Sequence, residues 1–202
     1  MSTPLFRSSV RQLGPALRLM LLMTVLVGLA YPLALTAFAQ VAFPGRADGS
    51  LVTRDGEVVG SVLIGQSFAG HPEYFQSRPS AAGDGYDPLA SGASNLGPES
   101  PDLLAAIEAR RAVVAELDGT EPADVAPDAL VASASGLDPH ISPEYADQQV
   151  ARVAAERAMT VERVRELVAE YTDGRVLGFL GEPHVNVLLL NLALDRATGT
   201  AD

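Results

Sequence analysis

Residues 19–43, LMLLMTVLVGLAYPLALTAFAQVAF, contain no charged side chain. A helix of that length reaches about 37 Å, more than the roughly 30 Å hydrocarbon core of a bilayer. In lipid every backbone N–H and C=O must be satisfied within the segment, so a single span has to be helical. The competing reading is a cleaved signal peptide, because Ala37-Phe38-Ala39 is an A-x-A pattern. Signal h-regions run about 7 to 15 residues, whereas here the apolar sequence continues through Val41, Ala42 and Phe43. The length favours a retained anchor. Pro32 cannot donate to the Gly28 carbonyl, so a kink is expected there. Gly28, Tyr31 and Pro32 mark a face for a neighbouring helix, extended by the small residues Ala30, Ala34 and Ala37.

Charge orients this span. Arg7, Arg11 and Arg18 precede the first acid, Asp48, whereas the residues after Phe43 hold 11 Arg against 25 acids, a balance of −14. The positive-inside rule therefore predicts a cytoplasmic tail over 1–18, a transmembrane helix over 19–43 and an extracytoplasmic domain over 44–202. So acidic a domain repels nucleic acid, which leaves proteins, cations and the lipid bilayer as partners. The chain has neither Cys nor Lys. Disulfides, thiolate metal sites, a thiol nucleophile, a Schiff base and a P-loop Lys are excluded.

Beyond the span, SLVTRDGEVVGSVLIGQSF reads as a hairpin around Asp55-Gly56, a type I′ turn pair, with residues 58–64 as a core strand. Residues 70–100 are rich in Gly, Pro and Ser without periodicity and read as a long loop. Ser100-Pro101 opens a helix whose apolar face is Leu103, Leu104, Ile107, Val114 and Leu117, ending at Gly119. Ser142-Pro143 opens a second helix, to about Ala158, and Thr160 caps a third that carries Val164, Leu167 and Val168. Residues 185–194, VNVLLLNLAL, read as a strand buried on both faces. The expected class is α+β: one transmembrane helix, then a single domain with a hairpin, a central C-terminal strand and about three helices.

Two kinds of chemistry are conceivable. His71, His140 and His184 each have a Pro beside them and a carboxylate two residues away, a composition that suits a divalent metal. None has the spacing of a strong metal motif, and turns bounded by Pro attract such residues anyway. Ser67 in IGQSFAG is a near miss of the G-x-S-x-G nucleophile elbow, and Asp138 and His184 follow in the order of an α/β-hydrolase triad. The glycine spacing is off by one residue and no helix start follows the Ser. In GLDPHISPEYADQQV, Gly136 suits a tight turn, Ser142 caps a helix and Pro143 begins it, while Asp138 and His140 can bond local backbone. Helix initiation accounts for most of that segment.

Six segments in series carry a resemblance: residues 31–51, GSVLIGQSF, YFQSRPSAAG, ASNLGP, ASASGLDPHISPEYADQQVARVAAER and GEPHVNVLLLNLALD. Together they resemble the KdpC family, the C subunits of Kdp-type potassium-transporting ATPases. The resemblance implies a non-catalytic accessory subunit of a bacterial inner-membrane complex that imports potassium. Its implied partners are a channel-like potassium-binding subunit, a P-type ATPase subunit that uses ATP, and a small single-span subunit. It also implies a role as a catalytic chaperone that raises the ATP affinity of the ATPase subunit. The phosphorylated DKTG motif of that partner is absent here. Family-motif positions with an implied structural or interface role are Gln66, Ser67, Phe68, Arg78, Pro79, Ser80, Asn95, Asp138, Pro139, His140, Ser142, Pro143, Gln149, Asn186 and Asn191. No catalytic residue, resident metal or bound cofactor is expected. The alternatives are a membrane-anchored serine hydrolase using Ser67 and an anchored metal- or solute-binding module.

Overall fold

The computed structural model describes residues 4–199, and the chain divides into two compact units after Leu51. The first unit is helical: α1 (Pro4–Val25), a π-helical turn (Leu26–Ala30), α2 (Tyr31–Ala42) and the short α3 (Pro44–Ala47). Residues Arg11–Ala42 form one helix long and apolar enough to cross a membrane, and none of it is buried within the chain. The irregularity expected at Pro32 takes the form of the π turn. Tyr31 N–H reaches back to the Leu26 carbonyl, and Pro32 then sits in the first turn of α2. Widening the helix by one residue relieves the clash between a proline ring and the carbonyl four residues earlier.

The second unit begins with a two-stranded hairpin, β1 (Leu51–Arg54) and β2 (Glu57–Ser61). Asp55 and Gly56 have φ of 53° and 83°, the left-handed pair that a type I′ turn requires. The expected core strand over 58–64 is not one: β2 stops at Ser61, and Val58 and Leu63 are exposed. Among the described residues this hairpin pairs with no further strand, and along β1 the exposed Leu51 and Thr53 alternate with the half-buried Val52 and Arg54.

Helices α4 (Pro101–Asp118), α5 (Pro143–Glu156) and α6 (Val161–Glu170) start where the sequence signals place them. The Ser142 and Thr160 hydroxyls accept from Tyr145 N and Arg163 N, whereas Ser100 holds the cap position of α4 without a side-chain bond. The apolar face of α4 is covered only in part, with Ile107 and Val114 packed against the core. Ala115 is its only buried residue, and Leu104 and Leu117 face solvent.

The C-terminal apolar run does not form one long strand. It supplies β5 (His184–Asn186) and then turns into a further helix, α7 (Val187–Ala197). β5 is the central strand of an antiparallel sheet with β3 (His140–Ile141) on one side and β4 (Thr172–Asp173) on the other. Each outer strand has two residues, so pairing cannot extend past Asn186. The Asn186 side chain then caps α7 by accepting from Leu189 N at 3.1 Å, and the Leu-rich sequence favours helix once the ladder ends. The core joins α5, α6 and α7 to this sheet through residues such as Val150, Val153, Val164, Val185, Leu190 and Leu194.

Candidate functional site

The long loop after the hairpin lacks regular structure, yet Phe75 and Ala82 within it are fully buried. Its backbone polar groups therefore need partners other than a ladder, and side chains of the core helices supply them. Asn191 on α7 accepts from Phe75 N at 2.9 Å and donates to Phe75 O at 3.0 Å. Gln149 on α5 treats Gln76 in the same way, at 2.6 and 3.2 Å. Each amide replaces the two hydrogen bonds of a neighbouring strand. Gln66 donates to Val59 O, and Asn186 donates to Val62 O, which ties the hairpin to the sheet.

A second cluster forms where three loop segments cross. The Ser80 hydroxyl donates to Gly136 O at 2.6 Å and accepts from Ala82 N and Tyr86 N. Gly136 has φ of 67°, and a Cβ there would lie 2.7 Å from both Ala82 N and Gly92 O. Arg78 pairs with Asp138 at 3.0 Å, and the other Asp138 oxygen accepts from the backbone N–H and ring Nδ1 of His140. Burial disfavours the Asp138 charge, but the two His140 bonds and the Arg78 guanidinium outweigh it and hold the carboxyl below its usual range. Tyr86, whose hydroxyl donates to Arg78 O, is pushed up to about 12 chiefly by burial. Pro139 O accepts from Val187 N, so this crossing also fixes the start of α7.

Between the loop and α4 lies a groove of about 600 Å³, whose lining includes Ser67, Phe68, Arg78, Pro79, Val113 and Leu117. The Ser67 hydroxyl accepts weakly from Ala69 N at 3.4 Å. The three members of the suggested triad have separate partners: Asp138 holds Arg78 and His140, and His184 Nδ1 faces the Glu182 carbonyl. His140 and His184 pack edge to face, 4.4 Å between ring centres, while His71 lies beside Glu73. Among the described residues, no three His, Asp or Glu side chains are grouped as a metal would need. Ser142 caps α5 and is itself held by Asp128 through its N–H and hydroxyl, with Pro143 next in line. Asn95 stands apart, exposed and left-handed at φ 53°. Gly28 lies in the π turn and Tyr31 and Pro32 follow it, all three exposed.

Sequence reasoning missed two arginines whose side chains are buried. Arg152 on α5 pairs with Asp118 at 2.7 Å and donates to the carbonyls of Pro72 and Tyr74 and to Gln149 Oε1. Burial pushes the Asp118 carboxyl up against the opposing effect of Arg152. Arg157 donates to Glu73 O, pairs with Asp195 at 2.8 Å and covers the Tyr74 ring, 4.5 Å from its centre. Asp195 also receives Arg54 from the hairpin and the Tyr74 hydroxyl. The signal was present: Gln149 and Arg152 sit among Ala146, Val150 and Val153 on the inward stripe of α5, where an unpaired polar group would be costly.

The contacts that staple the long loop to α5 and α7 join segments far apart in sequence, and the family comparison covers the same stretch. The family model described as KdpC, the K+-transporting ATPase c chain, matches residues 13–196. The chain belongs to the KdpC family. Among its relatives, the potassium-transporting ATPase KdpC subunit of Kineococcus radiotolerans is 64% identical over 93% of this chain and 95% of its own. The KdpC subunit of Sorangium cellulosum is 55% identical over 92% and 97%. That of Mycobacterium tuberculosis is 51% identical over 92% and 98%. As a KdpC-family chain it carries nearly all of its apolar helix and the whole of its stapled loop within the matched region.

Proposed function

We propose that this chain is the non-catalytic accessory subunit of an ATP-driven, high-affinity potassium import complex in a bacterial inner membrane. The observation that carries the reading is 64% identity, over 93% of the chain, to a potassium-transporting ATPase KdpC subunit. The chain assembles and stabilises a channel-like potassium-binding subunit, a P-type ATPase subunit and a small single-span subunit. ATP is consumed on the ATPase subunit, and potassium is the transported ion. The arginines before the span support an orientation with the amino terminus in the cytoplasm and the second unit outside. The way polar side chains are used supports a structural role: Gln66, Gln149, Asn186 and Asn191 all hold backbone groups of loop or hairpin.

The family role of catalytic chaperone sits poorly with this orientation, because a domain outside the cell meets little ATP and the chain has no P-loop. A more direct contribution is electrostatic. A domain with 11 Arg against 25 acids raises the local cation concentration at the outer mouth of the potassium pathway.

Affinity purification of the tagged chain from detergent-extracted membranes tests the assignment. Recovery with a P-type ATPase and a polytopic protein is the expected result. A lone monomer labelled by a serine-directed reagent at Ser67 would favour a hydrolase instead. External protease should cut the second unit in spheroplasts; protection there with cutting in inverted vesicles would reverse the orientation.

A further inference from the structure

The loop between β4 and β5 carries four large apolar residues within five positions, and all four face solvent: Val176 at 65% exposure, Leu177 at 80%, Phe179 at 69% and Leu180 at 50%. The loop is shaped rather than frayed. Val176 and Leu180 exchange backbone hydrogen bonds at 2.9 and 3.0 Å, and Arg175 pairs with Glu182 at 2.7 Å across its base. Its charges thus cancel below an uncharged tip. Folded domains seldom present a cluster of this kind to water without a use for it.

Its position in the fold indicates the use. Asn186, at the end of β5, donates to Val62 O at 2.9 Å, just beyond β2. An antiparallel hairpin turning at Asp55-Gly56 brings the end of β2 beside the start of β1, where the second unit begins at Val52. His184, at the base of the loop, is two residues from Asn186, about 7 Å along the strand. The loop therefore springs from the end of the domain at which the chain arrives from the apolar helix. Leu63 and Ile64, 61% and 36% exposed, lie at that same end. Between α2 and β1 run residues 43–50, partly helical in α3, a tether of about 20 Å at most.

We propose that residues 174–182, flanked by Leu63 and Ile64, form a bilayer-docking element whose apolar tip enters the lipid interface on the side where the second unit lies. The bilayer is the one apolar phase that an anchored chain always has within reach of this end. The loop holds one Arg, already paired, and the domain is acidic, so the matching surface is the acyl–headgroup boundary of zwitterionic lipid and not an anionic headgroup. The inference rests on the helix being a membrane anchor and goes beyond the accessory role.

The chain has no Trp, which allows a direct test with the full chain in phosphatidylcholine nanodiscs. Phe179→Trp should emit at shorter wavelength than the same variant in detergent-free urea, and lipids brominated in the acyl chain should quench it. Leu180→Trp should behave likewise, and Val113→Trp, on α4, should stay unquenched. Water-like, unquenched emission from both loop variants while the chain remains in the nanodisc overturns the proposal and leaves the anchor intact. A blue shift that appears only when other subunits of the complex are added also overturns it, because the occupant is then protein. Failure of the chain to enter nanodiscs at all refutes the anchor, and the docking element with it.

Discussion

Two loops of the second unit have similar composition and opposite fates. Residues 66–92 and residues 174–183 are both rich in Gly and both contain aromatic and aliphatic side chains. The first buries Phe75 and Ala82 completely; the second exposes Phe179 and three aliphatic neighbours. The difference lies in what the core offers each of them. Asn191, Gln149 and Arg152 reach from α7 and α5 to satisfy the backbone of the first loop, so it can leave water without orphaned polar groups. Among the described residues, the second loop is closed by contacts within itself, chiefly the Val176–Leu180 bridge and the Arg175–Glu182 pair. A loop becomes core when the rest of the fold can meet its hydrogen bonds, and apolar content alone does not bring it in.

Removing a staple should give the largest effect. Asn191→Leu keeps the volume but leaves the buried N–H and C=O of Phe75 unpaired, a cost of about 4 kcal/mol for two such groups. The urea midpoint of the second unit in the full chain should fall accordingly, and the Phe75 amide should lose its protection from hydrogen exchange. Gly136→Ala comes next. Its φ of 67° and the 2.7 Å approach to Ala82 N and Gly92 O predict a loss of about 2–3 kcal/mol, read from the same unfolding curves.

A smaller, pH-dependent effect belongs to Asp138. Its carboxyl is held below the ordinary range when folded, so the stabilisation is fully present above the unfolded value of about 4 and is lost as pH falls through the folded value. Asp138→Asn should therefore flatten the stability profile in that acid window; an unchanged profile would show that the Arg78–Asp138–His140 cluster contributes nothing there. The smallest change is expected in the other loop. Phe179→Ser, at an exposed site, should shift the unfolding free energy by no more than about 0.5 kcal/mol. A large loss would mean that the exposed loop is held by the core after all, and the contrast between the two loops would fail.

Much of the architecture could be read locally. The apolar helix, the Asp55-Gly56 turn and the Ser142 and Thr160 caps each depend on chemistry within a few residues, where side chain and backbone meet whatever the rest of the chain does. The run from Val185 to Leu194 could not be read that way. Being apolar on all sides it suits a buried strand or a buried helix equally, and the change at Asn186 follows from β3 and β4 having only two residues each. The face of α4 is covered only in part for a related reason: Ile107 and Val114 pack against the core, while Leu104 and Leu117 do not. Periodicity marks an apolar stripe, yet burial needs something packed on it, and the neighbouring loop leaves a groove there.

For the family-motif residues, the resemblance supplied the set of positions and tertiary structure alone assigned their partners. Arg78 meets Asp138 sixty residues away, and Asn191 meets Phe75 at a separation of 116. The sequence by itself determined the membrane-length helix, the acidic domain behind it, the hairpin turn and the caps of α5 and α6, because length, charge and local hydrogen bonding belong to short stretches of chain. The tertiary structure decided which loop is core and which is surface, since a buried amide needs a partner that only the folded chain brings within about 3 Å.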